Sequence, residues 1–511
     1  MKKVSIISNR KLPLCVLICM MTINVSVQAI SKSSEKNADW PIIIRNGDQL
    51  FEGQHPFRFF GLAAPNIQQN ESQIREDKAN RFPDEYEIRD ILGAINRLGG
   101  RATRTFSLSV YSPNDNQMPV YIPARRTYNE DAFRCLDRVI ALGHEYDVRL
   151  IIPFIASQSF GSIRGVDEFS ALAGKSMGSF WTDEEVKADF KHFLDFVLNR
   201  KNTVNGVLYK DDPAILAWQL GNEFGSFAGD RGLNYEEWNP RILAWSLEMA
   251  AYIKSMDPNH LIMEAGGVDR EAFINDPNID VISDHLYEYW NRISGRPWEL
   301  APIAHQSRQE CKGKKPLIVD EFGLGSTENL RELMKTIREE GIVGGLMWSI
   351  RGHRRDGGWY YHNEGGTPVN SFHYPGFAVG FDYEETRLLD LLRTEAYLIR
   401  GIPVPATLLP YPAPVLMKKG NGFTWRGSTG SAYYTIERSE TTDGRWEILA
   451  TGLHDSIIQD VKNFENTPRS SEALILFYDE SKVRGKTYYY RIKGLNTAGE
   501  TDYSNILEIR W

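Results

Sequence analysis

The run Ala217-Trp218-Gln219-Leu220-Gly221-Asn222-Glu223 closes an apolar stretch that begins at Ala214 and ends on an Asn-Glu pair. A short run apolar on both faces reads as a strand covered on both sides, with its polar residues delivered at the C-terminal end. Leu317-Ile318-Val319-Asp320-Glu321-Phe322-Gly323 repeats the pattern with a second glutamate. Six further strand-like runs lie around these two: Phe57–Gly61, Arg101–Phe106, Val148–Pro153, Leu261–Glu264, Val281–His285 and Gly344–Ser349. With Ala214–Leu220 and Leu317–Glu321 they make eight.

The segments between them carry helix signals. Thr182-Asp183-Glu184-Glu185 has the form of a capping box, followed by a stripe of Val186, Phe190, Phe193, Leu194 and Val197. Asn129 opens a helix with Phe133, Leu136 and Ile140 inward, and Thr327 begins another with Leu330, Leu333 and Ile337 inward. Strand and helix alternating eight times predict an α/β fold, a closed (β/α)8 TIM barrel. The rival, an open doubly wound sheet, lacks the G-x-G-x-x-G turn after its first strand.

The expected organisation has four parts. Residues 1–29 form a signal peptide: Lys2, Lys3, Arg10 and Lys11 precede the apolar Leu12 to Val27, and Val27-Gln28-Ala29 offers a cleavage site. The barrel occupies 38–402, and 403–414 is a Pro-rich linker stiffened by its prolines. Residues 415–511 turn to short strands with turn residues between them, an all-β immunoglobulin-like sandwich. Here Trp425, Tyr434, Tyr488-Tyr489-Tyr490-Arg491 and Asn496-Thr497-Ala498-Gly499 resemble the fibronectin type III pattern. On this layout, deleting 415–511 should leave hydrolysis of soluble substrates intact.

Four of the 59 basic residues lie in the leader, which leaves 55 against 67 acidic ones and a net charge of −12. That charge excludes nucleic acid or an anionic membrane as a partner class and suits a neutral one. After the leader no stretch is long and apolar enough to span a bilayer, so the chain reads as exported: secreted, periplasmic or at the cell surface. Cys135 and Cys311 remain, read as two unpaired thiols. The histidines are scattered and no metal-ligand spacing occurs, so no metal and no cofactor are expected. Oligomeric state is not legible.

Active sites of (β/α)8 barrels gather at the C-terminal ends of the strands. Placed there, Arg104, Asn222, Glu223, His285, Tyr287, Glu321 and Trp348 point into one mouth. Two carboxylates in one mouth are what acid/base cleavage of a sugar acetal requires. The residues carrying this pattern are Arg104 in Arg-Thr-Phe, Trp-Gln-Leu-Gly-Asn222-Glu223, Asp-His285-Leu-Tyr287, Asp-Glu321-Phe-Gly and Leu-Met-Trp348-Ser. Over roughly residues 40–400 they resemble glycoside hydrolase family 5, retaining enzymes with catalytic glutamates on strands four and seven.

The resemblance implies Glu321 as nucleophile and Glu223 as acid/base, with carboxyls about 5–5.5 Å apart and Glu223 in the more neutralising surroundings. It implies Tyr287 and Arg104 as partners of Glu321, and Asn222 on the sugar 2-hydroxyl. His285 would hold Tyr287 or Glu223, and Trp348 would lie under the pyranose ring. Arg101 is the competitor of Arg104, Trp218 is read as packing, and Glu264 is a candidate subsite group that is structural by default. Phe160, Trp181, Tyr289, Trp290, Trp298, Trp359 and Tyr360 are candidate loop aromatics, about half of them anchors. Arg351 to Trp359 forms a long loop after strand eight. Gly61-Leu62-Ala63-Ala64-Pro65-Asn66 departs from the family's Gly-x-Asn turn. The implied substrate is a β-1,4-linked polysaccharide, β-mannan first. Endo-β-1,4-glucanase and exo-acting β-mannosidase are alternatives, and a glycan-binding surface protein is the non-enzyme rival.

Overall fold

The computed structural model describes residues 40–70, 81–112, 119–158, 164–360, 371–377, 384–455 and 475–511. Phe160 and the expected leader lie outside them. Eight strands are parallel neighbours: β4 (Phe59–Ala63), β5 (Ala102–Arg104), β6 (Arg149–Pro153), β7 (Ile215–Gln219), β8 (Leu261–Met263), β9 (Ile282–Tyr287), β10 (Leu317–Gly323) and β11 (Gly344–Trp348). They pair as two four-stranded halves, β5-β6-β7-β8 and β9-β10-β11-β4. A parallel bridge Met263↔Val281 joins one seam, and Ala64 N–H donates to Arg104 O at 2.8 Å across the other. The result is a (β/α)8 barrel. Its strands are buried on both faces, which is why they read as unbroken apolar runs.

An antiparallel ribbon of β1 (Ile43–Asn46), β2 (Gln49–Glu52) and β3 (His55–Pro56) plugs the N-terminal end. Its Ile43 and Leu50 join Phe57, Phe59, Ala102, Ile151 and Ile318 in the barrel core. Arg101 belongs to this end and reaches Glu52 at 2.9 Å, which leaves Arg104 as the arginine of the other rim.

The helices bury the expected stripes. Val186, Phe190, Phe193, Leu194 and Val197 are all enclosed along Glu184–Leu198, each contributing about 1.5–3 kcal/mol. The cap differs from expectation. Asp183, not Thr182, accepts from the amides of Glu185 and Val186, because Thr182 is the last residue of a separate turn, Ser179–Thr182. Asn129 caps its helix as expected, and Ser326 caps the one that Thr327 begins. Cys135 and Cys311 are buried free thiols. No helix among the described residues is long and apolar enough to cross a membrane.

Beyond the barrel the strands become antiparallel. β12 (Val415–Lys419) pairs with β13 (Gly422–Arg426). A second sheet runs β15 (Glu447–Leu453), β14 (Tyr433–Ser439), β16 (Thr487–Asn496) and β17 (Gly499–Glu500), with β18 (Leu507–Arg510) on β16. Leu416, Phe423, Trp425, Tyr434, Ile436 and Tyr490 are core residues between them.

This all-β part is not a detached appendage. Residues 42–511 form one compact unit. Buried His353, on the loop after β11, lies between Asp90 Oδ2 at 2.9 Å and Asp455 Oδ2 at 3.0 Å, and Asp455 belongs to the all-β part. Trp359 Nε1 donates to Asp455 Oδ1 at 2.9 Å, Thr429 Oγ1 to Asp90 Oδ1 at 2.6 Å, and Tyr86 Oη to Gly427 O at 2.9 Å. Gly427 has to be glycine here: a Cβ would stand 2.1 Å from His353 Nε2. Burial alone would push His353 down, but the two carboxylates hold it up at about 9. Removal of 415–511 would strip these buried charges of their partners, a cost in stability of which the sequence carries no sign. The proline segment is also held, since Arg97 donates to Leu409 O at 2.8 Å and Arg393 to Pro405 O at 2.5 Å.

Candidate active site

Arg104, at the end of β5, organises the mouth. It is fully buried, and its guanidinium donates in three directions: Nη1 to Glu321 Oε1 at 2.5 Å, Nη2 to Asn222 Oδ1 at 2.7 Å, and Nε to Gln219 Oε1 at 2.6 Å. A planar, permanently charged fork is suited to holding several acceptors at fixed angles.

Glu223 follows β7 at a sharp turn. Its backbone sits in the left-handed region, φ 50° and ψ 50°, which costs a non-glycine residue about 1–2 kcal/mol. The turn is held because its carbonyl accepts from Ser157 Oγ at 2.8 Å, Ser226 Oγ at 2.9 Å and Ser226 N at 3.0 Å. The side chain is thereby turned into the mouth, 34% exposed.

Glu321 lies on β10, whose ladder to β9 slips between Ile318 and Glu321 and whose ladder to β11 slips between Val319 and Phe322. Successive strand residues normally face opposite sides. The irregularity re-aims them, as bulges do. Asp320 and Glu321 both reach Arg104, Asp320 Oδ2 lying 3.3 Å from Nε. Tyr287 donates to Glu321 Oε2 at 2.5 Å. His285 and Tyr287, two apart on β9, share the inward face, and His285 sits opposite Glu321 in the register.

His285 meets Glu223, one of the two partners expected for it. Its Nδ1 is 2.8 Å from Glu223 Oε1 and 3.3 Å from Glu321 Oε2, and its Nε2 is 3.3 Å from Asp320 Oδ2. One oxygen of Glu223, one oxygen of Glu321 and a nitrogen of His285 lie within 4.8 Å of one another. Three such ligand atoms can hold a cation. Here, however, Glu321 already accepts from Arg104 and Tyr287, and the Arg104 charge beside it disfavours a cation, so the cluster suits proton transfer.

Burial pushes Glu321 up to about 7, against the pull of His285 and Arg104. His285 is driven the other way: burial opposes its charge, but Glu321 and Asp320 raise it well above its ordinary value. The expectation that Glu223 would have the more neutralising surroundings is not what this mouth presents. Glu321 is the enclosed carboxyl, 5% exposed, while Glu223 meets solvent.

Trp348 ends β11 beside Tyr287 and Ala63, its ring 5.9 Å from Phe106. Trp218 is packing, stacked 5.2 Å from Phe154 with Nε1 donating to Asp257. Glu264 is buried beneath the mouth and accepts from the amides of Ser283 and Gly266. Trp181, Trp359 and Tyr360 are buried anchors, while Trp290 and Trp298 are each 38% exposed. Asn66, in the altered turn after β4, is fully buried. Three residues of this site were missed in the sequence, Asp320, Gln219 and Gln158. Gln158 Nε2 lies 2.5 Å from Glu223 Oε2. Asp320's only signal is its place beside Glu321, and Gln158 has none.

Residues 142–340 match the model of the glycoside hydrolase family 5 β-mannosidase-like family. The chain is 27% identical over 360 residues to a mannan endo-1,4-β-mannosidase 7 of Oryza sativa subsp. japonica, covering 61% of this chain and 89% of the relative. It is 31% identical over 270 residues to a mannan endo-1,4-β-mannosidase 7 of Arabidopsis thaliana, covering 44% and 61%. Among solved structures, the endo-1,4-β-mannanase of Rhizomucor miehei superposes with a TM-score of 0.56 at 21% identity, over 70% of this chain and 99% of that one. The endo-β-1,4-mannanase of Thermotoga petrophila gives 0.54 at 17% identity, over 90% and 99%. At these identities the superpositions speak for the barrel fold. The sequence match spans both strands that carry the facing carboxylates, and the chain is a β-mannanase-like glycoside hydrolase.

Proposed function

We propose that this protein is an exported retaining β-glycosidase that cleaves β-1,4-mannan within the chain. The observation that carries it is the pair Glu223 and Glu321, with carboxylate oxygens within 4.8 Å across one mouth. Retention calls for carboxyls about 5–5.5 Å apart, whereas inversion needs about 6.5–9.5 Å to admit a water. Glu321, aimed by Arg104 and Tyr287, attacks the anomeric carbon and forms a glycosyl-enzyme. Glu223 gives its proton to the departing oxygen, then takes one from the water that releases the sugar.

A saccharide over Glu223 removes its water and favours its neutral form at the moment the acid is needed. Asn222 keeps one amide N–H beyond those used by its neighbours, which suits the 2-hydroxyl. Trp348 offers a flat apolar face to the ring. Mannan is favoured because the matched relatives are named for it. Residues 415–511 are read as a fibronectin type III-like sandwich, on the strength of their two antiparallel sheets and aromatic core.

The test is to incubate the protein lacking residues 1–29 with mannan, glucan and xylan. Products are identified by chromatography, and the first-formed anomer by proton NMR. Mannan oligosaccharides released as the β-anomer are expected. Release of the α-anomer would overturn the retaining mechanism, and cleavage of glucan alone would overturn the substrate.

A further inference from the structure

We propose that Gln158 is a positioning residue for the acid/base carboxyl: its amide, oriented by a one-way hydrogen-bond chain that begins on Arg104, holds Glu223 at Oε2 and stabilises it once its proton has left. The proposal rests on the acid/base reading of Glu223 and adds a residue to it.

The direction of the chain follows from donor and acceptor chemistry. A guanidinium has five N–H groups and no acceptor, so it can only donate. Arg104 Nη2 therefore requires Oδ1 of Asn222, 2.7 Å away, to face it. That turns Asn222 Nδ2 outward, 3.1 Å from Gln158 Oε1. Gln158 is then left with only one orientation, its Nε2 toward Glu223 Oε2 at 2.5 Å and Ser226 Oγ at 3.3 Å. Flipping either amide would set oxygen against oxygen and nitrogen against nitrogen along the row. Asn222 is 4% exposed and Gln158 6%, so water offers neither an easy substitute.

The effect falls at one stage of the reaction. As the glycosidic C–O bond breaks and the bond from Glu321 to the anomeric carbon forms, the Glu223 proton passes to the leaving oxygen and Glu223 becomes a carboxylate. It stays so until water attacks the anomeric carbon, gives Glu223 its proton and frees Glu321. An N–H bond to a carboxylate is about twice as strong as one to a neutral acid. Gln158 thus acts on the state between the two steps.

The titratable and charged groups around Glu223 are His285, Glu321, Tyr287, Asp320 and, beyond Asn222, Arg104. On the outer side, Asp230 Oδ2 lies 2.8 Å from Ser226 Oγ, and Arg231 pairs with Asp167 at 2.8 Å. A substitution at 158 removes none of them.

Two variants of the full chain test this, Gln158→Met, close in shape but without a donor, and Gln158→Glu. Glutamate 13Cδ NMR reads the titration of Glu223, whose resonance is assigned by its loss in Glu223→Gln. The kcat/KM profile reads its alkaline limb. In Gln158→Met both move upward by roughly half to one pH unit, because the lost donor favoured the ionised form and water restores part of it. In Gln158→Glu they move further, because a like charge stands beside Glu223. If both variants leave midpoint and limb within roughly 0.2 unit of wild type, even with lowered turnover, Gln158 only packs and the proposal fails. If the wild-type alkaline limb does not track the Glu223 midpoint, the acid/base reading fails first and takes this proposal with it.

Discussion

Replacing Asp455 by alanine should weaken the whole molecule, because Asp455 is the link by which the all-β part holds the loop after β11. The carboxylate is buried, with His353 Nε2 at 3.0 Å on one oxygen and the Trp359 indole N–H at 2.9 Å on the other. Breaking a buried pair by removing one partner costs about 3–5 kcal/mol. Asp90 remains 2.9 Å from His353 Nδ1, so the imidazolium keeps one counter-charge and the lower end of that range applies.

The pH dependence checks the same clamp. Burial opposes the charge, but Asp90 and Asp455 together hold His353 at about 9, against an ordinary value of 6.5. The sign of the dependence is fixed. A histidine raised on folding stabilises fully below its unfolded value, and that stabilisation fades as pH rises through the folded one. Urea unfolding followed by tryptophan fluorescence should therefore show Asp455→Ala about 3 kcal/mol less stable than wild type at pH ~6, with the gap shrinking toward pH ~9.5. A gap under about 0.5 kcal/mol at the lower pH, or one that widens with pH, would refute the clamp.

Other outcomes follow from the same geometry. Arg104→Lys keeps the charge but loses the fork that holds Glu321, Asn222 and Gln219 together, so kcat should fall roughly 10²–10³-fold with an unchanged circular dichroism spectrum. Burial pushes Cys135 up to about 12 and Cys311 to about 11. A thiol-exchange reagent should therefore label neither in the folded protein lacking residues 1–29 and both once it is unfolded.

The barrel was legible because parallel strands enclosed on both faces must be apolar throughout, and β6, β7 and β8 lie within the runs read for them. Helix stripes were equally plain. What failed was local competition and long-range pairing. Thr182 and Asp183 both make good caps, and only the turn ending at Thr182 decides between them. The strand period puts Asp320 on the face opposite Glu321, and a ladder irregularity, which has no motif, brings both to Arg104. Gln158 meets Glu223 across 65 residues and His353 meets Asp455 across 102, and neither pair leaves a trace in spacing.

The most direct test of the two-carboxylate account is to trap the intermediate. The protein is incubated with a 2-deoxy-2-fluoro-β-mannosyl fluoride, digested, and its peptides are sequenced by mass spectrometry. The account predicts one fluoromannosyl group per chain, ester-linked to Glu321, and none in Glu321→Ala. A label on any other side chain, or none on an enzyme that still turns over mannan, would contradict it.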